Sequence, residues 1–402
     1  MTQKILLFCT MLLTLSVSVS AQQKDVELGE QQTIVNPDSL QMSILTCAPG
    51  PEVYALYGHM AIRFQNSNNG DDFVFNYGTF NMNAPFFVPK FTLGLMDYEL
   101  GCQPFEYFHR HYSFDGCDIT MQVLNLTPDE KAKFFRALMV NYLPENREYR
   151  YNFIYDNCAT RPRDILEDIV DGEIVYSLDS TEVSYRQMLH KYNDRWPWSK
   201  FGIDLVLGSE ADEQRGPREQ EWIPDYLAAH FANAEIKDKN GSVRPLVKDT
   251  VVIRAERPMD ESAEFPLDPM PCALIFLGIA ILVSAWEFWK KRICWGWDLF
   301  IFLAQGLTGV ILFVLFFLSE HPCTGSNWLI LVFNPIPLFF LYRIIRRDLK
   351  QEKDVYHWAY GAVLTLFMIF FAVIPQDFPL EVIPLALILL LRHVSHVLIY
   401  KK

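Results

Sequence analysis

A single cysteine stands in the segment YDNCATRPRD, residues 155–164, between a polar dipeptide and two arginines. Beyond Cys158 the apolar residues recur at helical spacing, which predicts a helix that begins close to this cysteine, with Asn157 or its neighbour Asp156 as the N-cap. A thiol at a helix N-terminus has a lowered pKa, and the two arginines add positive potential. Cys158 is therefore a candidate nucleophile, although a buried small residue and one half of a disulfide are alternative interpretations.

A histidine that could serve as the base lies far upstream, in YGHMAIRF, residues 57–64. The polar turn NSNNGDD and the segment FVFNYGTF follow, and this pattern predicts a β-hairpin because Asn-Gly is a strong turn signal. His59 would lie on one strand, with Asn76 or Tyr77 on its neighbour. A cysteine at a helix start, a histidine on a sheet and a polar group that orients the ring form a papain-type arrangement, here with the histidine first in the chain.

The elements that carry these residues belong to an acidic region. The chain has 402 residues and a net charge of −13, and most acidic side chains precede residue 270. Such a region is a poor candidate for binding nucleic acid, because phosphate contacts need a basic surface. The N-terminus has a lysine, an apolar run and VSA before Gln22, which predicts a secretory signal peptide over residues 1–21. We expect an exported domain over residues 22–230, and a linker or small β extension over residues 231–269.

Five apolar runs follow in residues 270–402, and each approaches the roughly 20 residues that cross a hydrocarbon core. Basic residues follow the first, third and fifth runs, whereas the alternate loops SEHPCTGSN and PQDFP contain no Lys or Arg. The positive-inside rule therefore places the C-terminus in the cytoplasm and the acidic domain outside it, in agreement with the signal peptide. The sequence predicts a domain of five transmembrane helices.

Cysteines outside the cytoplasm tend to pair. Cys102 and Cys117 are candidates for a disulfide across the loop between them. His109 and His111 lie between these cysteines, but the spacing lacks the close CxxC pairs of a structural zinc site. We therefore expect no metal ion and no cofactor.

Several motifs carry a resemblance to a known family. TCAPGPEVYALYGHMAIRF, FVFNYGTF, PENREYRYNFIYDNCATRPRD and PWSKFGIDLVLGSEAD, together with HPCTGSN in the membrane half, resemble the Lnb-type lipoprotein N-acyltransferases. The resemblance implies that His59 and Cys158 are the catalytic pair. It also implies an α+β, permuted papain-like (NlpC-like) extracytoplasmic domain, followed by an α-helical membrane domain. One departure is Met60, which stands where a small hydroxyl residue is expected.

The family resemblance also implies a reaction and its partners. A fatty acyl chain would pass from a phospholipid to the thiol of Cys158, and from there to the α-amino group of a diacylated lipoprotein, in the inner membrane of a bacterium. Asn76 is the expected orienting residue. The other expected substrate or oxyanion contacts are Asn157, Tyr77, Arg161, Arg163 and His321. Trp196, Trp198, Phe201 and Trp222 are candidates for an interfacial surface.

Two other classes of function are compatible with the same residues. A membrane-tethered cysteine peptidase or amidase that acts on cell-wall peptide would use the same cysteine and histidine. The extensive membrane half argues against this alternative, because a single span would suffice as a tether. A non-catalytic module that binds lipoproteins would instead hold Cys158 in a disulfide.

Overall fold

The computed structural model describes residues 39–50, 52, 55–177, 182–259 and 265–400. The predicted signal peptide lies outside these residues. The polar part of the chain and the apolar helices that follow it belong to one compact unit.

Within these described residues, the polar part contains twelve strands. They are β1 Leu40–Cys47, β2 His59–Asn66, β3 Asp71–Thr79, β4 Asp97–Pro104, β5 Ile119–Leu124, β6 Glu148–Arg150, β7 Gly172–Val175, β8 Val183–Ser184, β9 Gln214–Arg215, β10 Glu235–Asp238, β11 Val243–Pro245 and β12 Val247–Ile253. Seven of them form one antiparallel sheet in the order β12-β5-β1-β2-β3-β4-β6. β11, β10 and β7 form a small second sheet, and β8 pairs with β9.

The helices of the polar part are mostly short. They are α1 Phe87–Thr92, α2 Phe105–Phe114, α3 Pro128–Tyr142, α4 Thr160–Ile169, α5 Tyr185–Asn193, α6 Pro197–Val206, α7 Pro217–Gln220 and α8 Pro224–Asn233. α3 begins with a capping box, in which the Thr127 hydroxyl and the Glu130 carboxylate each accept a backbone N–H. α3 packs against α4 and against strands β1 and β4 of the main sheet. The helix that follows Cys158 is thereby attached to the same sheet that carries His59.

The predicted hairpin is present, with β2 and β3 in antiparallel register and Ile62 opposite Phe75. Its inward side chains, with those of β1 and β5, form a core against α2; the buried members are Leu45, Cys47, Ala61, Val74, Phe108, Ile119, Met121 and Val123. Gly70, at the end of the turn, has a φ of 80°, which glycine adopts without strain. The hairpin therefore forms for the predicted reason, which is a turn with glycine between two apolar strands.

Residues 231–269, left open between a linker and a β extension, are largely integrated into the exported fold. β10 and β11 extend the small sheet, and β12 pairs with β5 as an edge strand of the main sheet. The strands of these sheets continue past residue 230, as far as Ile253. The local sequence does not predict the pairing of β12, because its partner β5 is distant in the chain.

The membrane half is helical. Its helices are α9 Pro269–Lys290, α10 Trp295–Phe317, α11 Ile336–Lys350, α12 Val355–Phe370 and α13 Val382–Ile399, with a 3-10 turn at Trp328–Leu331 before α11. Four segments are long and apolar enough to cross a membrane: Pro269–Lys290, Trp295–Phe317, Trp328–Lys350 and Val382–Ile399. α12 is apolar but has only 16 residues. The structure thus gives four candidate spans where the sequence predicted five.

Two loops of the membrane half bind the polar part directly. Ser319 Oγ, the backbone N–H of Glu320 and His321 Nε2 donate to three successive carbonyls at the end of α1, at 3.0, 2.8 and 2.6 Å. Asn327 Nδ2 and Gln376 Nε2 donate to carbonyls at the end of α6, at 2.7 and 3.0 Å. The last carbonyls of a helix lack partners within the helix, so these contacts satisfy groups that would otherwise need water.

Candidate active site

The imidazole of His59 is placed by the β2–β3 hairpin. His59 is the first residue of β2, and its Nε2 lies 2.7 Å from Oδ1 of Asn76 on β3. The backbone N–H of Gly78 donates to the same oxygen at 2.8 Å, which identifies that atom as an acceptor. Nε2 of His59 must therefore carry the proton, and the lone pair of neutral His59 lies on Nδ1.

An irregularity in β3 gives Asn76 this position. The pairing of β3 with β4 shifts register between Asn76 and Thr79, as it does at a β-bulge. Gly78 lies inside the shift, and a Cβ atom there would stand 2.5 Å from Cε1 of His59 and 3.2 Å from Oδ1 of Asn76. Only glycine leaves room for the two side chains to meet. The sequence predicted Asn76 or Tyr77 as the partner, and the bulge decides for Asn76.

Cys158 lies in a buried loop just before α4. Asn157 holds this loop through four hydrogen bonds: its Oδ1 accepts from the N–H of Ala159 and Thr160, and its Nδ2 donates to Phe153 O and Trp222 O. Asn157 thus stabilises the turn that leads into α4, whereas the N-cap position is occupied by Ala159 and not by the predicted Asn157 or Asp156. Because all of these bonds are internal, the expected oxyanion contact from its side chain is not supported by the geometry.

The thiol of Cys158 and the imidazole of His59 are hydrogen-bonded. Burial by itself would raise the pKa of the thiol, but the charge of His59 and hydrogen bonds from His59, the N–H of Met60 and the hydroxyl of Tyr151 outweigh it and lower that pKa. Burial also opposes charging of His59, whereas the adjacent thiolate and Asn76 raise its pKa. Both shifts favour a thiolate–imidazolium pair, the reactive form of a cysteine nucleophile.

Tyr151 was missed by sequence reasoning. Its ring stacks on Tyr98, with centroids 4.1 Å apart, and its hydroxyl is directed at the sulfur of Cys158. Burial raises the pKa of Tyr151 well above 10, so the phenol stays protonated as a donor. The alternation in REYRYNF was visible, but it did not reveal which tyrosine faces the cysteine. Met60 donates its backbone N–H to the sulfur of Cys158, so the unusual side chain after the histidine does not disturb the Cys158–His59 pair.

The two arginines after Cys158 do not face it as free cations. Arg161 forms a bidentate ion pair with Asp156, at 2.6 and 2.7 Å, and its guanidinium lies 3.5 Å from the centre of the Tyr149 ring. Arg163 pairs with Asp164 and with the buried carboxylate of Glu221. In this structure both arginines form ion pairs that brace α4, and their expected contacts with substrate stay a prediction.

Other predicted residues are placed as follows. Tyr77 is a core residue with its hydroxyl accepting from Asn141 Nδ2 at 2.8 Å, so it is not a substrate contact in this structure. Trp196 and Trp222 are buried as well, in contrast to the predicted interfacial role, whereas Trp198 is partly exposed. His321 does reach the site region, because its ring lies 5.4 Å from that of Phe153, which in turn contacts Tyr151.

The predicted disulfide is absent, since Cys102 and Cys117 are separate free thiols. Cys102 lies within β4 opposite Phe75, and Cys117 follows α2 with its thiol near Pro49 O, so the fold directs them to different neighbours. Cys158 is also a free thiol, which removes the disulfide interpretation for it within the described residues.

A buried cysteine, an oriented histidine and two converging donors can carry out nucleophilic acyl transfer. The matches to known families agree with the division of the fold. Residues 28–191 match the Lnb N-terminal periplasmic domain, and residues 260–402 match the Lnb transmembrane domain. The chain belongs to the Lnb family.

Membership of the Lnb family indicates an acyltransferase of the lipoprotein N-acylation type, in a bacterial membrane protein with a periplasmic domain. The family match spans both halves of the chain, and so covers the membrane helices as well as the candidate pair. No curated protein and no solved structure was found to match the chain. The roles of individual residues therefore depend on the geometry described above.

The Gly78→Ala substitution tests the bulge. The added Cβ would displace the His59 ring, and a displacement of about 1 Å at a reacting group lowers turnover by about 100-fold. Turnover is measured as conversion of a diacylated lipopeptide by mass spectrometry. Gly202→Ala is the matched control, because a Cβ there has no neighbour within 4 Å. Equal activity of the two variants would contradict the role given to Gly78.

Alkylation of Cys158 by iodoacetamide tests the ion pair. In the wild type the thiol's pKa lies below 9.0, so the midpoint of the alkylation profile falls below that pH. In His59→Gln the charge of the imidazolium is lost and burial dominates, so the midpoint moves above 9.0. Peptide mapping follows the label at Cys158, with Cys158→Ser as the blank. Coincident profiles for wild type and His59→Gln would contradict the pairing.

Proposed function

We propose that this protein is a membrane-bound lipoprotein N-acyltransferase that works through a thioester on Cys158. The observation that carries the proposal is the Cys158–His59–Asn76 arrangement, which lies in a domain fixed to membrane helices of the Lnb family. We assign the domain to the permuted papain-like (NlpC-like) class, because the cysteine precedes a helix and the histidine lies on the adjoining antiparallel sheet.

The first half-reaction forms the thioester. The thiolate of Cys158 attacks an ester carbonyl of a phospholipid, and the oxyanion receives hydrogen bonds from the N–H of Met60 and the hydroxyl of Tyr151, both of which are directed at the sulfur. The C–O bond breaks, and the lysophospholipid alkoxide takes the proton from the imidazolium of His59. The products are a lysophospholipid, an acylated Cys158 and neutral His59.

The second half-reaction transfers the acyl group. The α-amino group of a diacylglyceryl-cysteine lipoprotein attacks the thioester carbonyl while its proton passes to Nδ1 of His59. The C–S bond breaks, and the thiolate–imidazolium pair is restored with an amide as product. An amide is less reactive than a thioester or an ester, so no nucleotide is needed to drive the sequence. Asn76 keeps His59 in the required tautomer throughout, since its Oδ1 accepts a hydrogen bond from Nε2–H.

The lipid donor must reach this site from the membrane surface. A short apolar segment around α1 is exposed, with Met82 at 64%, Phe86 at 78% and Val88 at 47%. The same helix receives the hydrogen bonds of the outer loop 319–321. We propose that this segment enters the interface of the inner membrane, where exposed aromatic and apolar side chains are stable. A chain of rings then leads inward, from Phe91 through Phe153 to Tyr151.

The helices of the membrane half determine on which side of the membrane the catalytic domain and the C-terminus lie. We propose five crossings, with α12 as a short fourth span, because an odd number places the basic loops and the C-terminus in the cytoplasm and the catalytic domain in the periplasm. The acidic domain then needs export, which agrees with the signal peptide predicted for residues 1–21. We assign residues up to Ile253 to the exported domain.

The thioester itself is the first test. Full-length protein is incubated with phospholipid in detergent and its intact mass is measured. We expect an added fatty-acyl mass that hydroxylamine removes, and no such mass on Cys158→Ala. A cysteine amidase would instead leave no adduct from phospholipid and would cleave a cell-wall peptide. Conversion of a diacylated lipopeptide by Cys158→Ala would exclude the covalent route.

Tyr151→Phe tests the proposed oxyanion donor. The ring and its stacking on Tyr98 are kept, so the unfolding temperature should change little. Loss of one oxyanion donor lowers the turnover number by about 100-fold, with little effect on the KM for lipopeptide. Tyr155→Phe, a substitution of an exposed tyrosine, is the matched control and should retain activity. Wild-type turnover in Tyr151→Phe would contradict the assignment.

A further inference from the structure

The sulfur of Cys158 is shielded in this structure. Cys158 is 6% exposed, and Tyr98, which packs on Tyr151 beside the sulfur, is 8% exposed. A phospholipid carries bulky acyl chains, so its ester carbonyl cannot contact the sulfur while these side chains keep their places. The proposed reaction therefore requires a part of the protein to move, and only this need to admit a lipid makes the present inference rest on that reaction.

A stack of aromatic rings connects the sulfur with α1. The ring of Phe87 on α1 stacks on that of Phe80, with ring centres 6.0 Å apart, and the ring of Phe80 lies 4.9 Å from that of Tyr98. Tyr98 in turn stacks on Tyr151, whose hydroxyl donates to the sulfur of Cys158. The outer rings of this stack thus cover the tyrosines that shield the thiol.

The segment that carries the outer rings, residues 80–94, is fixed firmly at one end. At its C-terminal end, three carbonyls accept hydrogen bonds from the outer loop 319–321. A Cβ on Gly94 would stand 2.9 Å from the backbone N of His321, so the backbone and the loop are in close contact there. None of the six residues of α1 is buried, and every hydrogen bond described for residues 81–87 joins two residues of the segment itself. Ring contacts therefore hold the N-terminal end of α1 in place.

The backbone of Phe86, immediately before α1, is strained. Its φ of 59° and ψ of 34° lie in the left-handed region, which bulky residues rarely adopt. Its side chain is 78% exposed, so packing inside the protein does not offset the strain. Strained residues of this kind cluster at segments that switch between two arrangements. Phe86 therefore marks the point at which the backbone relaxes when α1 turns away from the domain.

We propose that residues 80–94 form a lid over Cys158, closed in this structure, and that contact of its exposed apolar side chains with a phospholipid surface favours the open form. Those side chains are Met82, Phe86 and Val88. α1 pivots on the end that the outer loop fixes while the backbone of Phe86 relaxes. This motion moves Phe87 off Phe80 and opens the face of the tyrosines to an acyl chain. The closed lid keeps water away from the thiol between substrates.

A matched pair of substitutions at Phe86 tests the lid. Phe86→Ala and Phe86→Gly both remove the ring, but glycine adopts a positive φ without strain, so only Phe86→Gly stabilises the closed form. Full-length protein in phospholipid nanodiscs is treated with fluorescein maleimide. Peptide mapping gives the labelling rate of Cys158 and, as a reference for general loosening of the fold, that of Cys102. We expect Cys158 to be labelled about 5-fold more slowly in Phe86→Gly than in Phe86→Ala, with equal rates at Cys102. Equal or faster labelling of Cys158 in Phe86→Gly would overturn the proposal.

Substitution of the other exposed apolar side chains tests the role of the lipid surface. Met82→Ser and Val88→Ser together keep the backbone of Phe86 but weaken contact with the bilayer, so labelling of Cys158 in nanodiscs should slow by about 10-fold. Val243→Ser, at a comparably exposed apolar residue of the small sheet, is the control and should keep the wild-type rate. Wild-type labelling in the double variant would overturn the role given to the lipid surface.

Labelling does not require acyl transfer, so the lid and the proposed function fail separately. The expected labelling rates without an acyl adduct on Cys158 would support the lid and contradict the proposed function. An acyl adduct together with equal labelling of Phe86→Gly and Phe86→Ala would support the proposed function and overturn the lid.

Discussion

The hydrogen bond between His59 and Asn76 is the constraint on which the proposed chemistry depends. It fixes the proton on Nε2 and leaves Nδ1 for the thiol of Cys158. The bond needs a bulge in β3 and a glycine at position 78, because any side chain there would occupy the place of the imidazole. The backbone of a hairpin thus positions the proposed base, and a loop that Asn157 attaches to the protein core positions the proposed nucleophile.

The proposed reaction with lipids requires the membrane half, because the candidate site itself lies in the polar domain. An N-acyltransferase must keep a buried thiolate close to esters that lie at the membrane surface. The hydrogen bonds from the loops around His321 and Gln376 fix two helix ends of the exported domain, so the site is held at a defined place relative to the helices. Buried tyrosines around the sulfur exclude water, which favours transfer to an amine over hydrolysis of the thioester.

Local patterns in the sequence predicted the elements better than their contacts. The hairpin follows from a glycine turn between two apolar segments, and the helix after Cys158 follows from the helical spacing of its apolar residues; both signals lie within a few positions. The pairing of Cys158 with His59 came from residue types together with the family resemblance. The ion pairs of Arg161 and Arg163 were not predicted, because nothing local indicates that Glu221, far along the chain, binds one guanidinium. The position of β12 at the edge of the main sheet was not predicted for the same reason, because its partner β5 is distant in the chain.

The same limit explains why Tyr151 was not singled out. Alternating aromatic residues in a short strand fix which side chains share a face, but the face that meets the cysteine depends on the packing of Tyr98 and Phe153. The disulfide predicted between Cys102 and Cys117 shows another limit of the sequence. Cysteines in an oxidising compartment commonly form disulfides, but the fold separates these two residues.

The central claim is that the acyl group passes through Cys158, and a chase experiment tests it most directly. Acylated protein is freed of phospholipid and then mixed with a diacylated lipopeptide, while intact mass and lipopeptide mass are followed together. The account predicts that the acyl mass leaves the protein and appears on the lipopeptide in equal amount, without added donor. An acyl mass that stays on Cys158 while conversion still requires fresh phospholipid would contradict it.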